Sequence, residues 1–289
     1  MQLTRAVRAG LLRRMVHGLY VAADVPDSIR LRCAGLTLVL PDDAFICDRT
    51  AAWLYTGARS LGPNENLSVP PISFFRPSSK RSRLGATTRA GERAVIDEDL
   101  TEVHGLRVTT ELRTASDLGR LETNRDLRLW GMDNLLSTAA FTLDELIGTI
   151  PRFKGERGVV GLRTYAPLAR TGSQSFGESA LRLRWYDAGL AEPILQCPVT
   201  LSDGTTYFLD MADGEQRFAA EYDGAEWHST PDQRAHDEYR RGRLADEGRW
   251  EIEVFRREHV FGKQQDAQAR LRSSARRARA SVGLRSWTL

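Results

Sequence analysis

Between residues 194 and 224 the chain alternates in a way that leaves little choice of fold. ILQCPVTL (194–201) and YFLDMA (207–212) are two short apolar runs separated by SDGTT, and Asp203-Gly204 is the dipeptide that a tight hairpin turn favours. A third run, RFAAEYDG (217–224), follows directly, so three successive strands are expected to share a sheet. Around them lie a helical segment, SFGESALRLRWYDAGL (175–190), a second over HDEYRRGRLADEG (236–248), the alternating strand RWEIEVFR (249–256) and a final helix from Gln264 to Ala280. The order is helix, three strands, helix, strand, helix. The expected fold class is α/β, or α+β for the whole chain, with a small mixed sheet flanked by helices in the C-terminal part.

Leu3, Val7, Leu11 and Leu12 share one face of a helix expected over 3–15, which also carries Arg5, Arg8, Arg13 and Arg14. A turn into the strand HGLYVA (17–22) follows. Helix, glycine turn and strand is how a winged helix-turn-helix domain ends, and a solvated amphipathic helix reads the same way. Helices are expected over 28–39, 47–57, 124–138, 142–149 and 155–169, with Thr142 and Glu145 forming a capping box. Residues 100–121 read as a turn, a strand and a helix from Thr114, with Thr114 and Ser116 as candidate caps. Lys80, Arg81 and Arg83 suit either a phosphate contact or a solvated loop. TGSQSFG (171–177) is small and polar and marks the best boundary. Three stretches result: a partial winged-helix-like segment (1–26), a helical/β domain (27–170) and a C-terminal domain (171–289).

The 41 basic and 38 acidic residues leave a net charge of only +3, so a nucleic-acid surface would have to be a local one. Cys33, Cys47 and Cys197 have neither zinc-site nor disulfide spacing, which suggests a reduced, cytoplasmic setting. No apolar run has the length of a membrane span.

The chemistry concentrates in AAEYDGAEWHSTPDQRAHDEYR (219–240). Asp210 ends one expected strand, and Glu221 and Asp223 end the next, two residues apart and so on one face of an extended chain. Carboxylates gathered this way repel unless a proton or cation compensates them, and a divalent ion is the economical compensation. His228 lies in the following loop, with the pKa range of an acid or base. Asp237 and Arg240 are three apart on the next helix, where they would pair or meet phosphate, and Glu178 begins the earlier helix. Each residue also has a plainer reading: Asp223 as a turn residue, Glu178 as a helix-terminal carboxylate, Asp237 and Arg240 as a surface pair, His228 as packing beside Trp227.

On these residues the C-terminal part resembles the DUF559 domain, related to the very-short-patch-repair endonucleases of the PD-(D/E)xK superfamily. The matching pieces are GESALR, FLDMA, AAEYDGAEWH and DEYRRGRLADEGRWEIEVFRREHV. The resemblance implies a restriction-endonuclease-like core. It also implies Glu178, Asp210, Glu221, Asp223, His228 and Asp237 around a Mg²⁺ or Mn²⁺ site, with Asp210, Glu221 and Asp223 as metal ligands. Asp223 stands where the superfamily lysine would be. The first half, through GLLRRMVHGLYVA and LRVTTELRTASDLG, resembles the AbiEi-type antitoxin and regulator family, which implies promoter binding beside a toxin gene.

Two functions are therefore weighed. One is a DNA-interacting protein with a metal-dependent endonuclease, placed on duplex DNA by Arg5, Arg8, Arg13, Arg14 and Arg240. The other is a non-enzymatic repressor or antitoxin of a type IV toxin–antitoxin system, with the nuclease fold as scaffold. Convergence of Asp210, Glu221 and Asp223 around an open polar pocket would favour the first. An arginine filling that place would favour the second.

Overall fold

The computed structural model describes residues 2–16, 18–63, 65, 70–77, 88–224 and 231–285. The chain divides into two compact units, Met1–Thr171 and Gly172–Leu289. Both combine helices with a mixed β-sheet.

The first unit opens with α1 (Gln2–Arg8), β1 (Leu12–Val16) and β2 (Leu19–Ala22). The helix expected over 3–15 therefore ends at Arg8. Gly10 adopts φ 70°, a left-handed conformation that stops a helix cheaply only at glycine. The apolar run beyond it pairs antiparallel with β2 around Gly18, at φ 80°. Arg5 and Arg8 lie exposed on α1, whereas Arg13 and Arg14 belong to the hairpin. Arg13 is tied down there, donating to the Val25 carbonyl at 3.0 Å beside Asp27 at 3.7 Å.

Next come α2 (Ile29–Leu36), β3 (Phe45–Ile46), α3 (Asp48–Thr56), β4 (Ile72–Arg76), β5 (Thr88–Glu92), β6 (Leu100–Val103) and β7 (Leu106–Thr109). The strands form one sheet in the order β5-β4-β3-β7-β6, with β4/β5 and β3/β7 parallel and β3/β4 and β6/β7 antiparallel. Ile46, Phe74 and Val108 bury against Ile29, Cys33 and Leu36 of α2 and Ala51 of α3. Four helices complete the unit: α4 (Glu111–Leu121), α5 (Arg125–Leu136), α6 (Leu143–Gly148) and α7 (Val159–Tyr165). The cap of α4 is Thr110, whose Oγ1 accepts from Arg113 N, and not Thr114 or Ser116. Those two hydroxyls lie inside the helix and bond back to the carbonyls of Thr109 and Leu112. The Thr142–Glu145 capping box forms on α6. The helix expected from 155 starts only after Gly158, where φ is 81° and any Cβ would lie 2.1 Å from the Arg120 carbonyl oxygen.

The second unit contains α8 (Phe176–Asp187), β8 (Ile194–Thr200), β9 (Thr206–Asp213), β10 (Phe218–Tyr222), α9 (Pro231–Asp246), β11 (Glu251–Phe255), α10 (Arg257–Val260) and α11 (Ala267–Arg285). The sheet order is β11-β10-β9-β8, with β10/β11 parallel and the other pairs antiparallel. The Asp203-Gly204 turn joins β8 to β9, with Gly204 at φ 84°. Pro198, which cannot donate to a ladder, sits on the edge strand β8. One face of the sheet carries Met211, Phe218, Ala220 and Phe255 against Leu181 and Trp185 of α8 and Leu271 and Ala275 of α11. Trp185 stacks on Phe218 at 5.1 Å. The other face carries Cys197, Leu209, Ala212 and Ala219 against Leu244 of α9 and Trp250. The small residues Ala219 and Ala220 let helices approach this central strand from both sides. Among the described residues no helix is long and apolar enough to cross a membrane. The three cysteines are buried and free.

Candidate functional site

The acidic residues gather at one end of β9 and β10. In the ladder Ala219 pairs with Ala212 and Ala220 with Met211, so the next step sets Glu221 opposite Asp210. Asp210 lies at an irregularity. Leu195 and Met211 pack with the α8/α11 side, yet Cys197 and Leu209, two residues away along each strand, pack with the α9 side. Strict alternation would keep each such pair on one face. The pleat therefore changes face at Gln196 and Asp210, and Gln196 carries a φ of 46°. This break re-aims the Asp210 side chain, whose Oδ2 accepts from the Tyr222 N–H at 2.8 Å.

Burial pushes the Asp210 carboxyl up to about 7, and the negative charge of Glu178 adds to the effect. The Tyr222 N–H acts the other way. Glu221 raises it further, while Arg240 lowers it. A carboxyl so raised, in company with two others, is the electrostatic signature of a functional site, though structural ion networks share it.

Glu178 comes to the cluster through a close helix approach. A Cβ on Gly177 would lie 2.0 Å from Cε1 of Tyr222, so the first turn of α8 rests directly on the end of β10. Ser175 caps α8, its Oγ accepting from Glu178 N at 3.2 Å. Glu178 in turn accepts from the Ser175 hydroxyl at 2.9 Å and from Gln174 N at 2.8 Å. Its carboxylate thus serves the helix terminus as well as the cluster.

Glu221 is 7% exposed, and Arg240 Nη2 lies 2.7 Å from both of its oxygens. One expectation is corrected here. Arg240 turns to Glu221 rather than to Asp237, which is exposed on α9, because a buried carboxylate gains more from a guanidinium than a solvated one does. Glu221 and Asp223 differ in burial, although the Asp223 N–H still donates to the Phe255 carbonyl at 2.8 Å and extends the pairing with β11. β10 ends at Tyr222, and Asp223 is 36% exposed beyond it, 3.9 Å from Arg256. Among the described residues no three His, Cys, Asp or Glu side chains stand together as a formed metal-ligand set. His228 lies outside the described residues, as do Lys80, Arg81 and Arg83. The structure thus brings together Glu178, Asp210, Glu221 and Arg240, with Asp223 more exposed just beyond the end of β10 and Asp237 exposed on α9. The donor chemistry still suits a hard divalent ion: carboxylates are oxygen donors, and a cation would take up the compensation that Arg240 now supplies to Glu221.

Sequence reasoning missed Gly177 and Gln196, which bring Glu178 and Asp210 to this place. A helix-start glycine beside a capping serine was the one visible signal; a positive φ at glutamine leaves none.

Two relatives match the chain over most of its length. The uncharacterized protein MT2308 of Mycobacterium tuberculosis (strain CDC 1551 / Oshkosh) and the uncharacterized protein Rv2248 of strain ATCC 25618 / H37Rv are each 32% identical to it over 251 residues. The matched region is 87% of this chain and 88% of each relative. No family model matches the chain, and no solved structure matches it significantly.

Proposed function

We propose that this chain, which belongs to the family of the mycobacterial proteins MT2308 and Rv2248, is a DNA-interacting protein whose second unit is a restriction-endonuclease-like domain with a metal-dependent phosphodiester-hydrolysing site. The observation that carries this reading is the meeting of Glu178, Asp210 and Glu221 at one strand end, close enough for the charges of Glu178 and Glu221 to raise the Asp210 carboxyl. Asp210 and Glu221 would hold Mg²⁺ or Mn²⁺, with Asp223 at the same end of the sheet as the further ligand. Such an ion would polarise a phosphoryl oxygen and make its bound water a nucleophile at neutral pH. Arg240 would leave Glu221 for the phosphate, to which its planar fork is matched. His228 would supply the acid or base, and Glu178 and Asp237 would orient water. In the first unit α1 and the β1/β2 hairpin have the order of the end of a winged-helix domain, and Arg5, Arg8, Arg13 and Arg14 on them would contact DNA phosphates.

One observation favours a second reading. Arg240 occupies both oxygens of Glu221, which is what a nuclease fold retained as a scaffold would show. The chain would then be a non-enzymatic repressor or antitoxin of a type IV toxin–antitoxin system.

Cleavage of supercoiled plasmid in Mg²⁺ and in Mn²⁺, comparing wild type, Asp210→Ala and EDTA controls, separates the two. Metal-dependent cleavage lost in the variant supports the nuclease. Tight promoter binding without cleavage supports the repressor.

A further inference from the structure

Away from the carboxylate site, the first unit contains a cavity of about 1010 Å³ whose lining includes seven arginines and four carboxylates. Beneath it, α4 presents Arg113, Asp117 and Arg120 at i, i+4 and i+7, on one helix face. Most of the guanidiniums here are satisfied. Arg93 donates to Asp48 and Asp117, Arg113 to Asp99 and Asp117, and Arg152 to both oxygens of Asp99.

Arg120 differs. Its side chain is 7% exposed, but its nearest carboxylate oxygens are 3.7 Å away on Asp117 and 3.9 Å away on Glu156, beyond hydrogen-bond distance. Its Nε is buried without a partner, and so is Oδ1 of Asp117. Glu156, at 58% exposed, is a weak counter-charge. The Arg120 guanidinium lies 4.2 Å above the Phe153 ring, around which Arg113 and Arg152 also gather. Burial and the neighbouring arginines hold the Arg120 guanidinium below its ordinary range, whereas carboxylates push Arg93 and Arg152 up. A buried guanidinium without hydrogen bonds is costly. Gly158 fixes its place, because the loop before α7 packs against the Arg120 backbone where no Cβ fits.

We propose that Arg120 anchors a binding site in this cavity for a phosphate-bearing ligand. A phosphate would accept from the two Nη groups of Arg120, which unlike Nε are not shut off from the cavity, in the bidentate geometry that guanidinium favours. The surplus of arginines in the lining would balance its double charge, with Arg152 and Arg93 beside it on the cavity wall. The phosphate has two chemical sources, a small phosphoester or the backbone of nucleic acid, and both present the same oxygens.

Calorimetric titration of the full chain with inorganic pyrophosphate, against sodium chloride of matched ionic strength, tests the site. Wild type is expected to bind, Arg120→Gln to bind at least about tenfold more weakly through loss of a charge-assisted hydrogen bond, and Glu156→Gln to bind more tightly through loss of a competing carboxylate. Failure of wild type to bind beyond the chloride control overturns the proposal, as does unchanged affinity in both variants. Where Arg120→Gln does not fold, the exposed Glu156→Gln variant decides alone, and unchanged or weaker binding overturns the site. A second arm titrates a short DNA duplex with and without pyrophosphate. Displacement of the duplex assigns the site to backbone phosphate, and independent binding assigns it to a free phosphoester.

Discussion

Arg240 sets one nitrogen, Nη2, 2.7 Å from both carboxylate oxygens of Glu221, joining α9 to the central strand of the second unit across nineteen residues of sequence. Because Glu221 is almost fully buried, the pair is not a surface decoration. Arg240→Gln keeps most of the side-chain length and removes the charge, leaving the carboxylate uncompensated. The expected loss is about 3 kcal/mol, the usual scale for breaking one side of a buried pair. Arg240→Gln/Glu221→Gln should recover most of it, since removing both charges leaves none stranded. Urea denaturation of the four proteins checks this; a single variant as stable as wild type would show that the pair contributes nothing.

The same variant tests the metal proposal without relying on activity. With the guanidinium gone, Glu221 and Asp210 lose the compensating charge of Arg240. Millimolar Mg²⁺ should then raise the melting temperature of Arg240→Gln more than that of wild type, by ligand linkage. Adding Glu221→Gln should abolish the difference. Equal responses in all three proteins would mean that the carboxylates do not take up a divalent ion.

Asp210 gives the second unit a pH dependence of definite sign. Its folded value of about 7 stands above the ordinary 3.8, so the folded state holds the proton more tightly than the unfolded chain. The associated stability is fully present below about pH 4 and is lost as pH rises through 7, a change on the order of 4 kcal/mol at most. Asp210→Asn keeps an acceptor for the Tyr222 N–H and removes the charge. It should be more stable than wild type at pH 8, and the gap should close toward pH 4. A constant gap across that range would show that Asp210 does not titrate in this window.

Local chemistry made part of this architecture legible. The Asp203-Gly204 hairpin, the order of elements after Ser175 apart from the short α10, and the Thr142–Glu145 capping box all follow from a few neighbouring residues and are found in the structure. Less legible were the choices made by tertiary packing. Residues 109–116 offer four hydroxyls, and only Thr110 combines an extended backbone with a reachable N–H at Arg113. Helical spacing offered Asp237 to Arg240, but the deeper Glu221 prevailed. The apolar run after Gly10 suits helix and strand alike, and pairing with β2 decided it. The arginine cavity left little local trace: Arg113 and Arg120 share a face of α4, but Arg93 and Arg152 reach it from distant parts of the chain.

Gly177 reverses the usual sign of a helix substitution. Alanine in a helix is ordinarily more stable than glycine by about 1 kcal/mol. Here the added methyl would lie 2.0 Å from the Tyr222 ring, which packs edge-on to Phe261, itself stacked on Phe176. Gly177→Ala should therefore destabilise by about 1–3 kcal/mol. The penalty should shrink in a Tyr222→Ala background, where the methyl meets open space. An additive pair would mean that the clash is relieved elsewhere.

Gln196 occupies the left-handed region in the middle of a strand, at φ 46°, opposite the residue on which the carboxylate cluster turns. That conformation costs an L-residue about 1–2 kcal/mol, and glycine escapes it while losing some entropy on folding. Gln196→Gly should thus be as stable as wild type or better, by up to about 1 kcal/mol. Gln196→Val should be the less stable of the two by about 2 kcal/mol, because a β-branched side chain resists positive φ. If the change of face at Gln196 and Asp210 is what directs Asp210 toward Glu178, valine should also move the Asp210 titration, read by carboxyl NMR, back toward the ordinary range as the pleat regularises. Glycine should leave it in place. The reverse order of stabilities would show that the strand is not held in this conformation.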